Sequence, residues 1–189
     1  MPEEIGNRRA ETEVSKPERD RFERIVLPHL KSAYNLARWL TRNEHDAEDV
    51  VQEAFLRALR SFETFQIGRD VRAWFLTIVR NTCCTWMRQN RPREPMTPLD
   101  DDPQFAIEPG SDPETVLIKR VNSQLILQAL EEMPFAYREI LVLRELEDLS
   151  YKEIAKLVEL PLGTVMSRLS RARKELYARL GQTIGETRG

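Results

Sequence analysis

Apolar residues recur with helical spacing along two stretches of this chain, and the spacing stops between them. The first stretch runs from Phe22 to about Asn90 and the second from about Thr115 to Leu180. Alternating apolar patterns, which mark strands, are weak throughout. Between the stretches, residues 92–114 hold six prolines, which helices do not tolerate in their interior. The sequence therefore predicts an all-α fold with two small helical domains and an acidic, proline-rich linker.

These signals divide the 189 residues into five parts. We expect a loose leader at 1–20, a first domain at 21–92, the linker at 93–114, a second domain at 115–181 and a short tail at 182–189. Each domain is close to the lower size limit at which a core sustains itself without disulfides or metals. From residue 94 to residue 114 the linker carries only acidic charges, which repel each other, so we expect it to be extended and hydrated.

Charge is segregated along the chain although its sum is small. Lys and Arg number 29 and Asp and Glu number 31, which gives a net charge of −2. Residues 69–93, however, carry six Arg against one Asp, and residues 162–179 carry four Arg and one Lys against one Glu. Residues 94–114 carry seven acidic side chains and no basic one. Two local basic patches can serve nucleic-acid binding where the total charge gives no hint of it.

Several other classes of protein are disfavoured by composition. The two cysteines, Cys83 and Cys84, are adjacent, which argues against a disulfide scaffold and a zinc finger, and we interpret them as buried or neutral thiols. No constellation of carboxylate, His or Cys side chains suits catalysis, a metal or a cofactor, so none is predicted. No apolar segment approaches membrane-spanning length. We therefore expect a soluble, cytoplasmic protein that is not an enzyme.

Residues 149–177 predict a helix-turn-helix. Ser150 and Glu153 have the spacing of a capping box, in which each side chain satisfies a free amide at a helix start. The helix that follows should end near Val158, and the next should begin at or just after Pro161, where proline is tolerated. Within that second helix, four apolar residues should face the first: Val165, Leu169, Ala172 and Leu176.

The opposite face of the second helix has the chemistry of a DNA-reading surface. Short hydroxyl side chains allow close entry into the major groove, Arg pairs bidentately with guanine, and flanking cations hold phosphates. The alternative is an amphipathic helix with a solvated basic face. The predicted DNA-facing set is Thr164, Ser167, Ser170, Arg171 and Lys174, with Arg168 and Arg173 on the flanks.

Two helices of the first domain also have a marked polar face. The helix that begins near Val71 should bury Trp74 and Trp86 and present four residues outward: Arg72, Arg80, Asn81 and Arg88. The helix over residues 46–62 should bury its apolar face and present four others: Glu48, Asp49, Gln52 and Glu53. Acidic residues in the first turn of that helix suit the helix dipole.

In these motifs the chain resembles the extracytoplasmic-function RNA polymerase sigma factors, group 4 of the sigma-70 family. PLGTV at 161–165, SR at 167–168 and RAR at 171–173 resemble the family's region 4. DAEDVVQEAF at 46–55 resembles its region 2, and RAWF at 72–75 with RN at 80–81 resembles the continuation of that region. The matches follow the family's order and span nearly all of residues 22–180. Met166 and Ser170 depart from common family choices, so promoter sequence cannot be copied from relatives.

The resemblance implies what each surface contacts. It implies that Asp49, Gln52 and Glu53 bind the clamp coiled coil of core RNA polymerase, and that the second domain binds the polymerase flap and the −35 promoter element. The alternative for the acidic row is an ordinary solvated helix face. The resemblance also implies an anti-sigma partner. The linker would either enter a basic polymerase channel or act as a solubilising tether.

The resemblance further implies that the loop at residues 63–70 captures an unstacked base of the −10 element. Phe65 and Arg69 offer stacking and phosphate attraction, which single-strand capture requires. The outward polar residues of the following helix could then track the strand backbone. Phe65 has an equally good alternative as a core anchor. As a whole, the chain is predicted to be a transcription initiation factor, the alternative being a stand-alone helix-turn-helix regulator and, with least support, an enzyme acting on nucleic acid.

Overall fold

The computed structural model describes residues 15–65, 70–91 and 123–186, and all regular structure within them is helical. This confirms the predicted all-α fold. The loop position of Arg69, the linker at 93–114 and residues 115–122 lie outside the described residues. In the first half the helices are α1 (Lys16–Val26), α2 (Leu30–Thr41), α3 (Glu44–Ser61) and α4 (Val71–Asn90), with short 3₁₀ turns at Leu27–His29 and Phe62–Thr64.

Helix α1 begins inside the stretch predicted to be a loose leader, so that prediction is wrong for residues 16–20. Ser15 starts the helix with a capping box: its amide and hydroxyl donate to Glu18 Oε2 at 3.2 and 2.6 Å. Phe22 and Val26 of the same helix are fully buried. The ring of Phe22 meets the ring of Phe55 edge-on, with centroids 4.9 Å apart. The cap and the apolar anchor together explain why the helix forms so early in the chain.

Helices α2, α3 and α4 form the core of the first half, and alanines line their contacts. Ala33, Ala37, Ala54 and Ala58 are completely buried, which lets the helix backbones approach closely. Asn43 starts α3 by accepting a hydrogen bond from the amide of Asp46 at 3.1 Å. The cap fixes the register in which α3 turns its acidic side outward.

Helix α4 buries a wider face than the sequence predicted. Phe75, Leu76 and Val79 are buried, and so are both cysteines, which agrees with their interpretation as buried or neutral thiols. The two tryptophans are partly buried and pack against this core rather than within it. The extra burial arises because α4 packs on two sides, against α2 and α3 of the first half and against α7 of the second half.

The second half comprises α5 (Ser123–Glu132), α6 (Phe135–Leu141), a π turn (Val142–Leu146), α7 (Tyr151–Val158) and α8 (Leu162–Glu186). Pro134 separates α5 from α6. Leu146 is 49 % exposed. The wide π turn, closed by the Glu147 amide donating to the Val142 carbonyl at 3.0 Å, changes the side-chain phase and buries Glu147 instead.

Helix α8 continues past the predicted end of the second domain, so the tail assigned to residues 182–189 is helical as far as Glu186. Leu176 and Leu180 are buried and hold the later turns of α8 on the rest of the half. Among the described residues, no helix combines the length and apolar character needed to cross a membrane.

The two halves pack against each other, α2 against α6 and α4 against α7. Arg138 is fully buried at this contact, and its guanidinium donates to the Met133 carbonyl at 2.6 Å and, across the boundary, to the Leu40 carbonyl at 3.2 Å. From the other side, Arg42 donates to the Glu131 carbonyl at 2.9 Å. The boundary is therefore fastened by arginines that satisfy backbone carbonyls.

Candidate nucleic-acid interface

The predicted helix-turn-helix is present as α7, a short turn and α8. The Glu153 amide donates to Ser150 Oγ at 3.3 Å, and the Ser150 amide donates to Glu153 Oε2 at 2.7 Å, so the predicted capping box is confirmed. Hydrogen bonding of the Glu153 carboxyl to the Ser150 side chain, and then to the Ser150 backbone amide, lowers the pKa of that carboxyl. Glu159 ends α7 in the left-handed region at φ 58°. The resulting turn places α8 across α7.

Helix α8 has the two faces that the sequence predicted. Its buried face consists of Val165, Leu169, Ala172 and Leu176, and this confirms the apolar register. On the outer face Lys174 is exposed, while Thr164, Ser167, Ser170 and Arg171 are half-buried. The Ser167 hydroxyl donates to the Thr164 carbonyl at 3.0 Å, which keeps that side chain low on the helix.

Two flanking arginines of α8 differ from the prediction. Arg168 is only 6 % exposed, so in this structure its guanidinium packs inside the domain and does not face outward with the DNA-facing set. Position 168 lies three residues after the buried Val165 and next to the buried Leu169, so it is at the edge of the buried face of α8. Arg173 donates to Glu145 Oε1 at 2.7 Å, so its cation is already engaged by a carboxylate.

The same surface holds residues that the sequence reasoning did not assign. Leu162 and Met166 are 40 % and 42 % exposed at the start of α8. Nothing lies within 4 Å of the position where a side-chain carbon on Gly163 would be. The first turn of α8 therefore presents a partly apolar surface from which no side chain projects at Gly163. The departure from basic residues at Met166 was the signal that could have drawn attention to it.

The acidic row of α3 lies on the outside of the molecule. Asp49 and Gln52 are exposed, and Glu53 is half-buried and accepts a hydrogen bond from Arg57 Nε at 2.7 Å. Leu56 continues this row along the helix and is 46 % exposed. An exposed leucine beside an acidic row is typical of a docking surface, and Leu56 was not among the residues predicted from the sequence.

The four polar residues of α4 do not form one open face. Asn81 and Arg88 are exposed, as predicted. Arg72 donates to Glu147 Oε2 at 2.6 Å and to its carbonyl at 2.7 Å. Arg80 Nε donates to Glu139 Oε1 at 2.7 Å. Two of the four predicted DNA contacts are thus held by carboxylates of the second half.

The electrostatics of Arg80 follow from this pairing. Burial alone would lower the pKa of its guanidinium, but the Coulomb attraction and the hydrogen bond of Glu139 outweigh burial and raise that pKa. The neighbouring Cys84 thiol lies in the same field. Burial first, and then the negative charge of Glu139, raise the pKa of Cys84 to about 11. A neutral thiol agrees with the interpretation made from sequence.

Phe65 packs against aromatic neighbours. Its ring centroid lies 4.7 Å from that of Trp74 and 6.0 Å from that of Phe62, to which it is nearly parallel. The side chain is half-buried, so part of it remains accessible. This geometry suits an anchor that holds the start of the 63–70 loop. The expected role in base capture remains a prediction, as does that of Arg69.

A helix-turn-helix with a hydroxyl-rich outer face, joined to a helical domain with a separate acidic row, defines a DNA-binding protein of the transcription apparatus. Comparison with known proteins agrees. Residues 25–93 match the family Sigma-70 region 2, and residues 123–176 match the family Sigma-70, region 4. The ECF RNA polymerase sigma factor SigW of Bacillus subtilis is 30% identical over 178 residues, which cover 89% of this chain and 93% of that protein.

A second relative agrees with the first. The ECF RNA polymerase sigma-E factor of Escherichia coli strain K12 is 30% identical over 183 residues, covering 93% of this chain and 95% of that protein. The chain therefore belongs to the family of ECF RNA polymerase sigma factors.

Solved structures resemble this fold over most of its length. The sigma factor RpoE from Bartonella quintana, in complex with the anti-sigma factor NepR, is 27% identical with a TM-score of 0.66 and covers 86% of this chain and 98% of that one. CnrH, in complex with the cytosolic domain of CnrY, is 25% identical with a TM-score of 0.62 and covers 87% of this chain and 90% of that one.

Proposed function

We propose that this chain acts as an alternative sigma factor, which binds core RNA polymerase, recognises the −35 and −10 promoter elements and aids strand opening. One observation carries the proposal. The same chain presents a helix-turn-helix and, on a different helix, an exposed acidic row that DNA would repel. The acidic row needs a protein partner, whereas the outer face of α8 needs DNA. A stand-alone regulator would leave the acidic row unexplained.

The second half would read the −35 element with α8. The hydroxyls of Thr164, Ser167 and Ser170 keep the helix surface low, so the backbone can enter the major groove closely. Arg171 would supply the base-reading guanidinium and Lys174 a phosphate contact. Arg173 could join them only by leaving Glu145, and Arg168 would support the helix from inside.

The first half would supply the polymerase contact. Asp49, Gln52 and Glu53 can make charge-assisted hydrogen bonds to a basic helix of the polymerase clamp. Leu56 would add an apolar contact at the end of the row. Such a mixture of one apolar anchor with a polar surround is common at protein interfaces.

The −10 strand would be held by the loop at 63–70 and by α4. Asn81 and Arg88 are exposed and available for backbone contacts. Arg72 and Arg80 would join them once separated from Glu147 and Glu139. This division of roles predicts no catalytic chemistry in the chain, and its place of action is the cytoplasm, where the polymerase and the DNA are.

An anti-sigma partner is part of the proposal because RpoE, which is similar to this chain, is solved with one. Such a partner would have to cover surfaces needed by the polymerase. The acidic row and Leu56 are the first surfaces on which to look for it.

The proposal is tested by adding the purified chain to core RNA polymerase and mapping transcript starts across a genomic template. We expect new starts that share upstream elements and that depend on the added chain. Binding of the chain to core polymerase is measured in parallel. A chain that does not bind core polymerase and produces no specific start, but binds a palindromic duplex as a dimer, would be a stand-alone regulator.

A further inference from the structure

Two carboxylates of the second half occupy two arginines of α4. The side chains of Glu139 and Glu147 are each 3 % exposed, whereas those of Arg80 and Arg72 are 19 % and 30 % exposed. The carboxylates are thus buried beneath the boundary, and the arginines reach in from its edge. Along α4, the first two predicted DNA-contacting residues, Arg72 and Arg80, are occupied, and the next two, Asn81 and Arg88, are exposed.

A carboxylate and a phosphate compete for the same guanidinium atoms. Arg presents a planar set of N–H donors that fits either group. In Arg72 the Nη2 group already donates to both the side chain and the carbonyl of Glu147. In Arg80 the Nε group is taken by Glu139. A DNA phosphate at these positions would have to displace the carboxylate, so the closed arrangement and strand binding exclude each other there.

Further polar contacts cross the boundary. Arg38 Nη2 lies 3.2 Å from Glu131 Oε1, and Arg42 and Arg138 bind carbonyls across the boundary. Interfaces between domains that rely on polar contacts allow the domains to move relative to each other. Buried ion pairs contribute little net stability compared with apolar packing, because both charges lose water. A reversible contact fits this chemistry better than a permanent one.

We propose that the second half is an internal inhibitor of strand binding, in which Glu139 and Glu147 take the places of two DNA phosphates on Arg80 and Arg72 until the halves separate. The inference rests on the proposed function, since it assumes that α4 binds a DNA strand. It assigns to the two glutamates a role that neither promoter reading nor polymerase docking requires.

The contact itself is tested by modifying the arginines of the intact free chain with phenylglyoxal. Mass spectrometry of its peptides then gives the rate of modification at each arginine. Arg88 is exposed on the same helix and serves as the internal standard. In the wild-type chain we expect Arg72 and Arg80 to react at least about tenfold more slowly than Arg88. In Glu139→Gln/Glu147→Gln the three rates should converge. Equal rates in the wild-type chain would overturn the proposal.

A matched control is Glu132→Gln, which removes a carboxylate that faces Arg179 within the same half, at 3.8 Å. It should keep the slow reaction of Arg72 and Arg80. The single variants Glu139→Gln and Glu147→Gln serve where the double variant loses helical circular dichroism, and each should release mainly its own arginine. Release of both arginines by Glu132→Gln would show a general loosening and would contradict the specific contact.

Inhibition is tested by transcription with core polymerase. We expect the double variant to reach half-maximal promoter output at a concentration at least on the order of fivefold lower than the wild-type chain, the lower end of typical coupling between sites. Faster modification of Arg72 and Arg80 without this gain would mean that closure does not inhibit. A wild-type chain that directs no transcript would remove the proposed function and the inhibition with it, while the modification rates would still report the contact.

Discussion

Arg80 of α4 and Glu139 of α6 are 59 positions apart in the sequence and meet at 2.7 Å between Nε and Oε1. Each belongs to a different sigma region of the chain, so their pairing closes one region against the other. A surface predicted to be open is therefore partly occupied by the chain itself. The arrangement of the halves governs which of the predicted contacts are available.

Arg171→Ala should weaken promoter selection. If the guanidinium pairs with one base, its loss should cost about 1–3 kcal/mol and relax the preference at one base pair of the −35 element. Transcription from a library of −35 variants measures both effects. Lys174→Ala is the matched comparison, because an exposed Lys on phosphate should weaken all duplexes alike and lower the salt dependence. A uniform loss in Arg171→Ala would place this residue on phosphate too.

Asp49→Arg should reduce the affinity for core polymerase and leave the fold intact. Asp49 is exposed, so the substitution removes no buried contact, and reversing a charge at a complementary interface costs several kcal/mol. Affinity for core polymerase and circular dichroism are measured together. Glu23→Arg, a charge reversal on α1 beyond the row, is the control and should bind normally. If both variants bind as the wild-type chain does, the acidic row is a solvated face.

Glu153→Gln should change the pH dependence of stability. The folded pKa of Glu153 is lowered, so its contribution is present above the ordinary pKa of a glutamate and is lost as pH falls through the lowered value. At pH 7 we expect the variant to be less stable by up to about 1 kcal/mol, the usual size of a capping contribution. The difference between variant and wild type should vanish in acid. Urea unfolding between pH 7 and 3 measures it.

The control for this experiment is Glu132→Gln, a carboxylate near the end of a helix and outside any cap. Its stability difference should not follow the curve of Glu153→Gln. Ser150→Ala removes the hydroxyl, which is the larger cause of the lowered pKa, but keeps the backbone amide, so it should reduce the pH-dependent difference without abolishing it. A pH effect that persists undiminished in Ser150→Ala would assign the shift to another neighbour.

Local features could be predicted from the sequence because local chemistry determines them. The Ser150 cap, the break before Pro161 and the buried register from Val165 to Leu176 are all as expected, since each depends on residues within about three turns of each other. The same holds for Pro134, which separates α5 and α6. Helix identity in this chain is set by neighbours along the sequence.

The remaining features depend on distant residues. Nothing in the sequence of α4 indicates that this helix also packs against α7 of the second half. The π turn exposes Leu146 and buries Glu147, whose carboxylate pairs with the distant Arg72 of the first half. The sequence placed Arg168 on the flank of the outer face of α8. Helical periodicity gives the direction of a side chain, but it does not show how much of that side chain other parts of the fold cover. Ion pairs between residues of different domains cannot be predicted from the helical periodicity of the sequence.

The last prediction concerns Cys83 and Cys84. Burial, followed by the charge of a neighbouring thiolate for Cys83 and of Glu139 for Cys84, raises both pKa values, that of Cys84 to about 11. In the native chain at pH 8 we therefore expect both thiols to react with Ellman's reagent much more slowly than in 6 M guanidinium. Rapid reaction of the native chain would contradict their burial.

The raised pKa values also make stability fall in alkali. A thiol that ionises near its usual value when unfolded, but only near pH 11 when folded, favours the unfolded chain as pH rises from about 9 towards 11. The loss approaches about 1.4 kcal/mol for each unit of difference. Cys84→Ala lacks this thiol, so its stability should fall less over the same range, although the missing sulfur lowers it by a constant amount at every pH. Parallel curves for variant and wild type would show that Cys84 ionises as easily in the folded chain as in the unfolded one.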